Sequence, residues 1–489
     1  MSGPSGEIVG VTGGQAGVAA SWAALLALAD RYDEAAERMR GWAGEGADVL
    51  LDPDLLASGL LSPVTFAEAE AGVLAATVGP DGVGTESLGW EVDARSLRLV
   101  VAALSAADSG VAEAVAGLEH LVGRTVGWTI GATAPALLPV GLLAAGRTVL
   151  LAPDLPQRAA PALERWLTAH PEEVEHLVAG GGGLLEGLWD GLTPTVPGGP
   201  WGLPLDTGDA AAAAALLSRL YPDGRVRATP LPGVRVEASS RAPGDVADLV
   251  EHVAQLSELS GPEHPEMNGT IELQTLIGGD GSVRHVLYLP GTDDMTTLPW
   301  TRDGDVRDMG TNLSLMGGLD DGYAHGVLAA LERSGVGDDP VLVVGHSQGG
   351  MLAADLLASA PEHGVAISHA VTLGSPTGQL AGFPEGSHLL SLEHRGDVVP
   401  LLDGVANPDT VEQVTVTFDT DGATGGRSAG VADHHGFPAY AQGAALVDTS
   451  ADPSVRAAVQ ELERAGFLRA PEGTSVTSRV LQLVREAQP

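Results

Sequence analysis

Ser347 lies in a segment whose residue types and order suit nucleophilic chemistry. Residues 341–350 read VLVVGHSQGG, an apolar run followed by a glycine-rich turn, and residues 351–357 continue with a helical character. A serine on a strained strand-to-helix turn projects its hydroxyl above a sheet, where the first N–H groups of the helix can stabilise an oxyanion. Ser428 has the same Gly-x-Ser-x-Gly spacing, but it follows a polar loop without an apolar strand or helix beside it. The context therefore favours Ser347 as the nucleophile.

A nucleophilic serine needs a base and a carboxylate that orients the base. In the strand-turn-helix class these residues follow the serine in the order acid, then histidine. Asp397 comes soon after the predicted strand 388–393 and is the favoured acid. Asp403 lies beyond the turn at Pro400, and Asp419 ends a later strand with other acids nearby, so both are weaker candidates. We therefore expect Asp397 to orient the base.

His434 and His435 lie in the loop that follows the last predicted strand and opens a helix. His435 is the favoured base because of its spacing to Tyr440, and His434 stays open as the alternative base. The histidine pair also suggests a metal site. Asp433 lies beside it, but no third ligand stands at a recognisable spacing, so no metal is expected. The other histidines considered are interpreted as turn, surface or strand-end residues; they are His346, His363, His369, His388 and His394.

The turn after residues 286–289 is the expected source of a second oxyanion donor. Residues 286–292 read VLYLPGT, an apolar strand followed by a Pro-Gly turn. In this class of site, one donor follows the nucleophile and the other comes from such a turn. The backbone N–H groups of Thr292 and Gln348 are therefore predicted to form the oxyanion hole, and the Thr292 hydroxyl could add a third donor.

An α/β architecture must position these residues, because strand-like and helix-like runs alternate from about residue 225. This alternation is typical of a mostly parallel sheet with helices on its faces. The GGDG sequence at 278–281 predicts a hairpin, so its two strands should be antiparallel. The predicted strands are 225–237, 270–277, 283–289, 341–344, 367–373, 388–393 and 411–418. The predicted helices are 246–259, 322–333, 348–359, 436–446 and 453–465.

The first part of the chain has a different sequence pattern. It contains Ala- and Leu-rich helical stretches and few segments in which β-branched residues alternate with polar ones. We predict an all-α helical domain over residues 1–224 and a catalytic α/β domain over residues 225–489. Residues 125–146 form an uncharged window long enough to span a bilayer. Its prolines and glycines favour a buried, bent helical pair instead. The predicted helices of this part are 15–40, 63–76, 87–121, 161–170, 172–188 and 210–220.

Composition excludes several classes of function. The 489-residue chain has a net charge of −39, and all 25 basic residues are Arg. Such a surface repels phosphate backbones and anionic lipids, so neither nucleic-acid binding nor a stable membrane anchor is expected. Because Cys is absent, thiol catalysis, disulfides and Cys-ligated metals are excluded. Residues 1–17 lack the basic start and apolar run of a signal peptide, which favours a cytoplasmic location or non-classical export.

Four segments in order resemble α/β-hydrolases of the lipase and esterase type. They are Pro290-Gly291-Thr292, the elbow Gly345-His346-Ser347-Gln348-Gly349, Asp397-Val398-Val399-Pro400, and residues 435–440. The match covers roughly residues 225–450, and its specificity lies in the ordered set. The resemblance implies an α/β-hydrolase fold and a Ser-Asp-His triad that acts by acyl transfer. Two features depart from the family, since the histidine is doubled and no His-Gly-Gly-Gly string precedes the oxyanion turn.

The N-terminal region loosely resembles the helical-hairpin proteins of type VII secretion. Trp42-Ala43-Gly44 follows the first predicted helix as their Trp-x-Gly turn does. The resemblance implies export by a type VII-like route. It departs from the pattern in one respect, because none of the five Tyr residues has Asp or Glu four positions later, the expected export tag. The other interpretation is a structural bundle packed against the catalytic domain.

The expected function is that of a serine hydrolase that cleaves carboxylic esters, of lipids or other acyl compounds, through an acyl-enzyme intermediate and without a cofactor. Residues 293–321, here called the lid segment, are long enough to cover an acyl pocket. Transfer of the acyl group to an alcohol instead of water stays open. The alternative function is a secreted or surface module in which the helical region binds an unidentified protein and the hydrolase fold is inert or auxiliary.

Overall fold

The computed structural model describes residues 6–14, 18–78, 209–380, 382–420 and 430–486, together with parts of 82–98, 120–124 and 174–192. The chain divides into two compact units, one of residues 18–114 and the other of residues 1–17 with 115–489. The limit at residue 224 between the predicted domains stays a prediction. The window 125–146 and the predicted helix 161–170 lie outside the described residues.

The first unit contains helices α1 (Val18–Leu50), α2 (Pro53–Leu61) and α3 (Pro63–Val78). The Asp52 side chain accepts hydrogen bonds from the first N–H groups of α2, and Pro53 occupies the first helical position. The predicted turn at Trp42–Gly44 is wrong, because α1 continues through these residues. Glycine in an Ala-rich stretch weakens a helix without ending it, whereas the Asp-Pro pair starts a new one.

The helices described in the second unit are α4 (Gly181–Leu192), α5 (Ala210–Ser218), α6 (Val246–Ser257), α7 (Met309–Met316), α8 (Gly322–Ser334), α9 (Gln348–His363), α10 (Val431–His435), α11 (Phe437–Asp448) and α12 (Pro453–Arg464). Short 3₁₀ turns lie at Glu237–Ser240, Pro265–Met267 and Pro400–Asp403. Across the described part of the chain, no helix combines the length and the apolar character that crossing a bilayer requires.

The strands described form one nine-stranded sheet. They are β1 (Glu7–Gly13), β2 (Val226–Pro230), β3 (Thr270–Ile277), β4 (Val283–Leu289), β5 (Val341–His346), β6 (Ile367–Leu373), β7 (His388–His394), β8 (Gln413–Asp419) and β9 (Ser475–Arg485). Their order is β1-β8-β7-β6-β5-β4-β3-β9-β2. Strands β4 to β8 are parallel, whereas the pairings of β1 with β8, β3 with β4, and β9 with both β3 and β2 are antiparallel. The predicted α/β class and the antiparallel hairpin are confirmed.

Two apolar layers sandwich this sheet. On one face, α6, α11 and α12 pack against alternate strand residues such as Val344, Leu373 and Phe418. On the other face, α8 and α9 pack against the intervening residues, such as Val343 and Leu289. Strands buried on both faces need continuous apolar runs, which is why residues 341–344 and 370–373 contain few polar side chains. The carboxyl ends of the parallel strands therefore meet at one rigid edge.

Two strands of the sheet were not predicted. β1 pairs with the edge strand β8 from Glu7 to Gly13, so the prediction that residues 1–224 are all helical is wrong at its start. β9 lies between β3 and β2, where it alternates in burial along its second half. Each strand forms by pairing with a partner that is distant in sequence. Local sequence patterns do not show such a pairing.

Candidate active site

Ser347 occupies a strained turn at the carboxyl end of β5. Its φ and ψ are 54° and −120°, and the residue caps the first turn of α9. A positive φ is unfavourable for a residue with a side chain, so the surrounding packing must impose it. This conformation places a hydroxyl between a parallel sheet and the positive end of a 16-residue helix. The turn thus has the geometry predicted for a nucleophile.

The glycines of the elbow permit a close approach of its neighbours. A Cβ atom on Gly349 would lie 2.1 Å from the carbonyl oxygen of Leu289, and one on Gly345 would lie 2.1 Å from the carbonyl oxygen of Gly349. A Cβ atom on Gly291 would lie 3.1 Å from the Cβ atom of Ser347. The turn after β4 therefore lies directly against Ser347, the candidate nucleophile, as the oxyanion prediction requires.

Asp397 and His435 form a buried hydrogen-bonded pair. Nδ1 of His435 lies 2.7 Å from Oδ2 of Asp397, whose side chain is fully buried, whereas 20% of the His435 side chain is exposed. The Tyr440 hydroxyl donates to the same Oδ2 at 2.7 Å, and the Val399 N–H donates to Oδ1 at 2.9 Å. Burial and the Asp397 charge raise the pKa of Tyr440 well above its usual value, so this hydroxyl keeps its proton. These contacts orient the imidazole.

The alternative candidates have other partners. Nδ1 of His434 lies 2.9 Å from the carbonyl oxygen of Gly396, and its ring stacks on His394. The two alternative acids also have other partners. Asp403 accepts the Gly378 N–H at 2.7 Å, which fixes a loop after β6, and Asp419 forms an ion pair with Arg395. The structure brings His435, and not His434, to Asp397.

His346 has a role that the sequence did not indicate. Its Nε2 lies 2.9 Å from the carbonyl oxygen of His435, so a proton on Nε2 would be donated to the backbone of the candidate base. The His346 ring also packs against the rings of His435 and Phe437. Burial, together with the nearby His435, lowers the pKa of His346 to about 3. A neutral ring of this kind supports the candidate base without adding charge to the site.

Asn312 connects the two predicted oxyanion residues. Its Nδ2 donates to the Thr292 hydroxyl at 3.0 Å, and its Oδ1 accepts from Nε2 of Gln348 at 2.9 Å. Gln348 also donates to the carbonyl oxygen of Asp308 at 2.8 Å. Among the described residues, the backbone N–H groups of Thr292 and Gln348 have no hydrogen-bond partner. The backbone N–H groups of Thr292 and Gln348 thus stay available as donors beside Ser347. The side chains of both residues are held by the Asn312 amide.

A cavity of about 500 Å³ is lined in part by Ser347, His435 and Thr292. Apart from these groups, His346 and Asn312, the lining is mostly apolar, and it includes four of the seven methionines of the chain. Methionine is unbranched and adapts its shape to irregular apolar ligands. The apolar lining consists mainly of Met295, Met309, Leu313, Met316, Met351, Pro376, Val399, Leu402 and Phe437.

Buried ion pairs fix the lid segment on its inner side. The wholly buried guanidinium of Arg307 lies 2.7 Å from Asp293. Asp308 binds Nε of Arg302 at 2.8 Å and Nη1 of Arg485 at 2.9 Å, which ties the segment to β9. The segment also contains α7 and exposes four large apolar side chains, Met295, Leu298, Trp300 and Leu319. Movement of this segment as a lid stays a prediction.

Local pattern and order predicted Ser347, Asp397 and His435 as the triad, but they did not indicate Asn312, His346 or the methionine lining. Asn312 belongs to α7, which was read as part of a loop, so nothing in the sequence placed it beside Gln348. Comparisons with protein-family models, with curated proteins and with solved structures gave no match for this chain.

Proposed function

We propose that the protein is a serine hydrolase that cleaves carboxylic esters with apolar acyl groups. The observation that carries the proposal is the Asp397–His435 hydrogen bond of 2.7 Å on the wall of the cavity that also holds Ser347 in its strained turn. An imidazole oriented by a buried carboxylate is the arrangement that serine nucleophiles need. The fold that we propose for the second unit is accordingly that of an α/β-hydrolase.

In the proposed reaction, Oγ of Ser347 attacks the ester carbonyl while Nε2 of His435 takes its proton. Asp397 stabilises the imidazolium that forms, without taking up the proton itself. The N–H groups of Thr292 and Gln348 donate to the developing oxyanion, and the N-terminus of α9 adds favourable potential. Collapse of this intermediate expels the alcohol, which receives the proton from His435. Water then hydrolyses the acyl-enzyme by the same steps.

The cavity supports esters with an aliphatic acyl chain as substrates. Its lining is mostly apolar, with methionine the most frequent residue type, and few of its groups could bind a charged acyl group. Each methylene group that becomes buried contributes about 0.8 kcal/mol, which corresponds to roughly a fourfold gain in kcat/KM. We expect kcat/KM for p-nitrophenyl esters to rise from acetate to butyrate to octanoate.

Two serines with the same local spacing allow a matched test. Ser347→Ala should abolish hydrolysis of p-nitrophenyl butyrate and labelling by a fluorophosphonate probe. Ser428→Ala, which changes the other Gly-x-Ser-x-Gly match, should retain both. Equal activity in Ser347→Ala and the unchanged protein would contradict the proposal.

A second candidate function is binding by the helical unit, with a catalytically inert α/β unit. It is favoured by large apolar side chains that are exposed on α1 to α3 and in the loops between them, namely Leu26, Trp42, Val49, Leu51, Leu56, Leu61, Val64 and Leu74. Correctly folded protein that fails to react with fluorophosphonate would support this function over hydrolysis. Rapid labelling of Ser347 would show an assembled site and would favour the enzyme.

A further inference from the structure

Two histidines and a glutamate converge at the amino ends of β6 and β7, whereas the candidate active site lies at the carboxyl ends. His369 and His388 face each other across this parallel pair of strands, with ring centroids 5.0 Å apart. Each histidine lies two residues before an apolar residue, Val371 or Leu390, and so shares its face of the sheet. This is the face that α12 covers. Glu461 of α12 completes the group, in which one ligand atom of each residue lies within 4.8 Å of the others.

His369 is the member of this group that indicates a ligand. Only 6% of the residue is exposed, and its Nε2 is buried without a hydrogen-bond partner among the described residues. Its Nδ1 lies 2.8 Å from the Ser368 hydroxyl. When Nδ1–H donates to that hydroxyl, Nε2 presents a lone pair. Metal-bound histidines commonly use their second nitrogen in this way.

We propose that His369, His388 and Glu461 bind a divalent transition-metal ion, and that Zn²⁺ fits this ligand set best. Imidazole and carboxylate groups suit Zn²⁺, which accepts three protein ligands and a water molecule. Ligands about 2.0–2.1 Å from a tetrahedral ion lie roughly 3.3 Å apart. The group must therefore contract by about 1.5 Å at most from its present 4.8 Å. His388 and Glu461 are half-buried, so their side chains have room to do so.

The charges around the group suit a cation. Glu461 is ion-paired through Oε1 with Arg464, whose side chain is 63% exposed and able to turn toward solvent. Glu412 lines the same small cavity, of about 60 Å³, as His388 and Glu461, and it adds a negative charge there. A bound ion would tie β6 and β7 to α12 across the sheet-helix interface. The ion would lie at the amino ends of these strands, remote from Ser347, and its binding is independent of ester hydrolysis.

Calorimetric titration of tag-free, chelator-treated protein with Zn²⁺ tests this inference. The unchanged chain should bind one ion and unfold at a higher temperature when the ion is present. His388→Ala and Glu461→Gln should each weaken binding by about a hundredfold and lose the temperature shift, since even outer partners of metal ligands contribute 10- to 100-fold. His264→Ala is the matched control, because His264 is an exposed histidine 3.5 Å from Glu266, and it should bind as the unchanged chain does.

Cobalt provides a second readout. Co²⁺ in the unchanged protein should give the visible absorption of a tetrahedral site, and His369→Ala should lose it. Because His369 is buried, that variant is compared by circular dichroism with the unchanged chain, while the half-buried His388 and Glu461 carry the test if it fails to fold. Ser347→Ala should bind the metal normally, which separates this inference from the hydrolase proposal. Absence of stoichiometric binding, or equal binding by His388→Ala and Glu461→Gln, would overturn it.

Discussion

At the scale of single residues, Asp397 accepts three hydrogen bonds, one from the nearby Val399 and two from residues 435–440. The Val399 N–H fixes Oδ1, while His435 and the Tyr440 hydroxyl share Oδ2. A buried carboxylate that is held on both oxygens cannot rotate away from the imidazole. We therefore propose that Tyr440 is a positioning residue that acts through Asp397, since it does not line the cavity.

Tyr440→Phe should lower kcat for p-nitrophenyl butyrate by about tenfold to a hundredfold and leave KM nearly unchanged. A hydrogen bond to a charged group contributes about 1.5–3 kcal/mol, and each 1.4 kcal/mol corresponds to a factor of ten in rate. Steady-state kinetics measure the change. Tyr323→Phe is the matched control, because the buried Tyr323 hydroxyl has no hydrogen-bond partner among the described residues. Equal losses in both variants would exclude a specific role of Tyr440.

A second residue-scale feature is the buried carboxylate of Asp321, which caps α8. Its Oδ1 accepts the Ala324 N–H at 2.8 Å, whereas Oδ2 is buried without a partner among the described residues. Burial raises the pKa of Asp321 from 3.8 to about 7. The folded chain therefore holds this proton more tightly than the unfolded chain does. The contribution of Asp321 to stability is full below pH 4 and is lost as the pH rises to about 7.

Asp321→Asn should raise the free energy of unfolding at pH 8, by up to about 4 kcal/mol, and the gain should shrink toward pH 5. Asparagine caps a helix as well as aspartate does but carries no charge to bury. Urea unfolding at a series of pH values measures the difference. Asp452→Asn, at the half-buried cap of α12, is the control and should show a much smaller change. A gain for Asp321→Asn that does not depend on pH would refute this account.

At the scale of elements, the glycines that join β4, β5 and α9 decide whether the site assembles. Gly349→Ala should lower the free energy of unfolding by about 1–3 kcal/mol and abolish fluorophosphonate labelling, because its Cβ atom would collide with the Leu289 carbonyl oxygen. Gly279→Ala is the control, since a Cβ atom there meets nothing within 4 Å and should change stability by only about 0.5 kcal/mol. Denaturant unfolding and probe labelling check both. Labelling of Gly349→Ala at the normal rate would count against the elbow geometry.

The same strands and helices show how much of the fold could be predicted from the sequence. Strands β3 to β8 were predicted because apolar runs between turn residues identify a buried strand locally. The site followed from them, since the carboxyl ends of parallel strands share one edge. β1 and β9 were missed because each becomes a strand only by pairing with a distant partner. Asn312 and the methionine lining were missed for the same reason, as their neighbours come from separate segments.

At the scale of the whole molecule, the net charge of −39 acts against the compact state. The buried ion pairs of Asp293 and Asp308 use only a few of the 64 acidic residues, so most of the carboxylates repel one another through solvent. Such repulsion between exposed charges is screened by salt. The Debye length falls from about 30 Å at 0.01 M to about 8 Å at 0.15 M ionic strength.

The midpoint of thermal unfolding at pH 8 should therefore rise with NaCl, and most of the rise should occur below about 0.2 M, where the screening length changes most. Differential scanning calorimetry at roughly 0.01, 0.05, 0.2 and 1 M NaCl measures this dependence, because the Debye length falls from about 30 Å to about 3 Å over this range. Sucrose at matched osmolality is the control, because it stabilises by exclusion from the surface and should act in proportion to its concentration. A midpoint that stays flat to 0.2 M and then rises steadily would assign the stabilisation to solvent exclusion and not to screened repulsion.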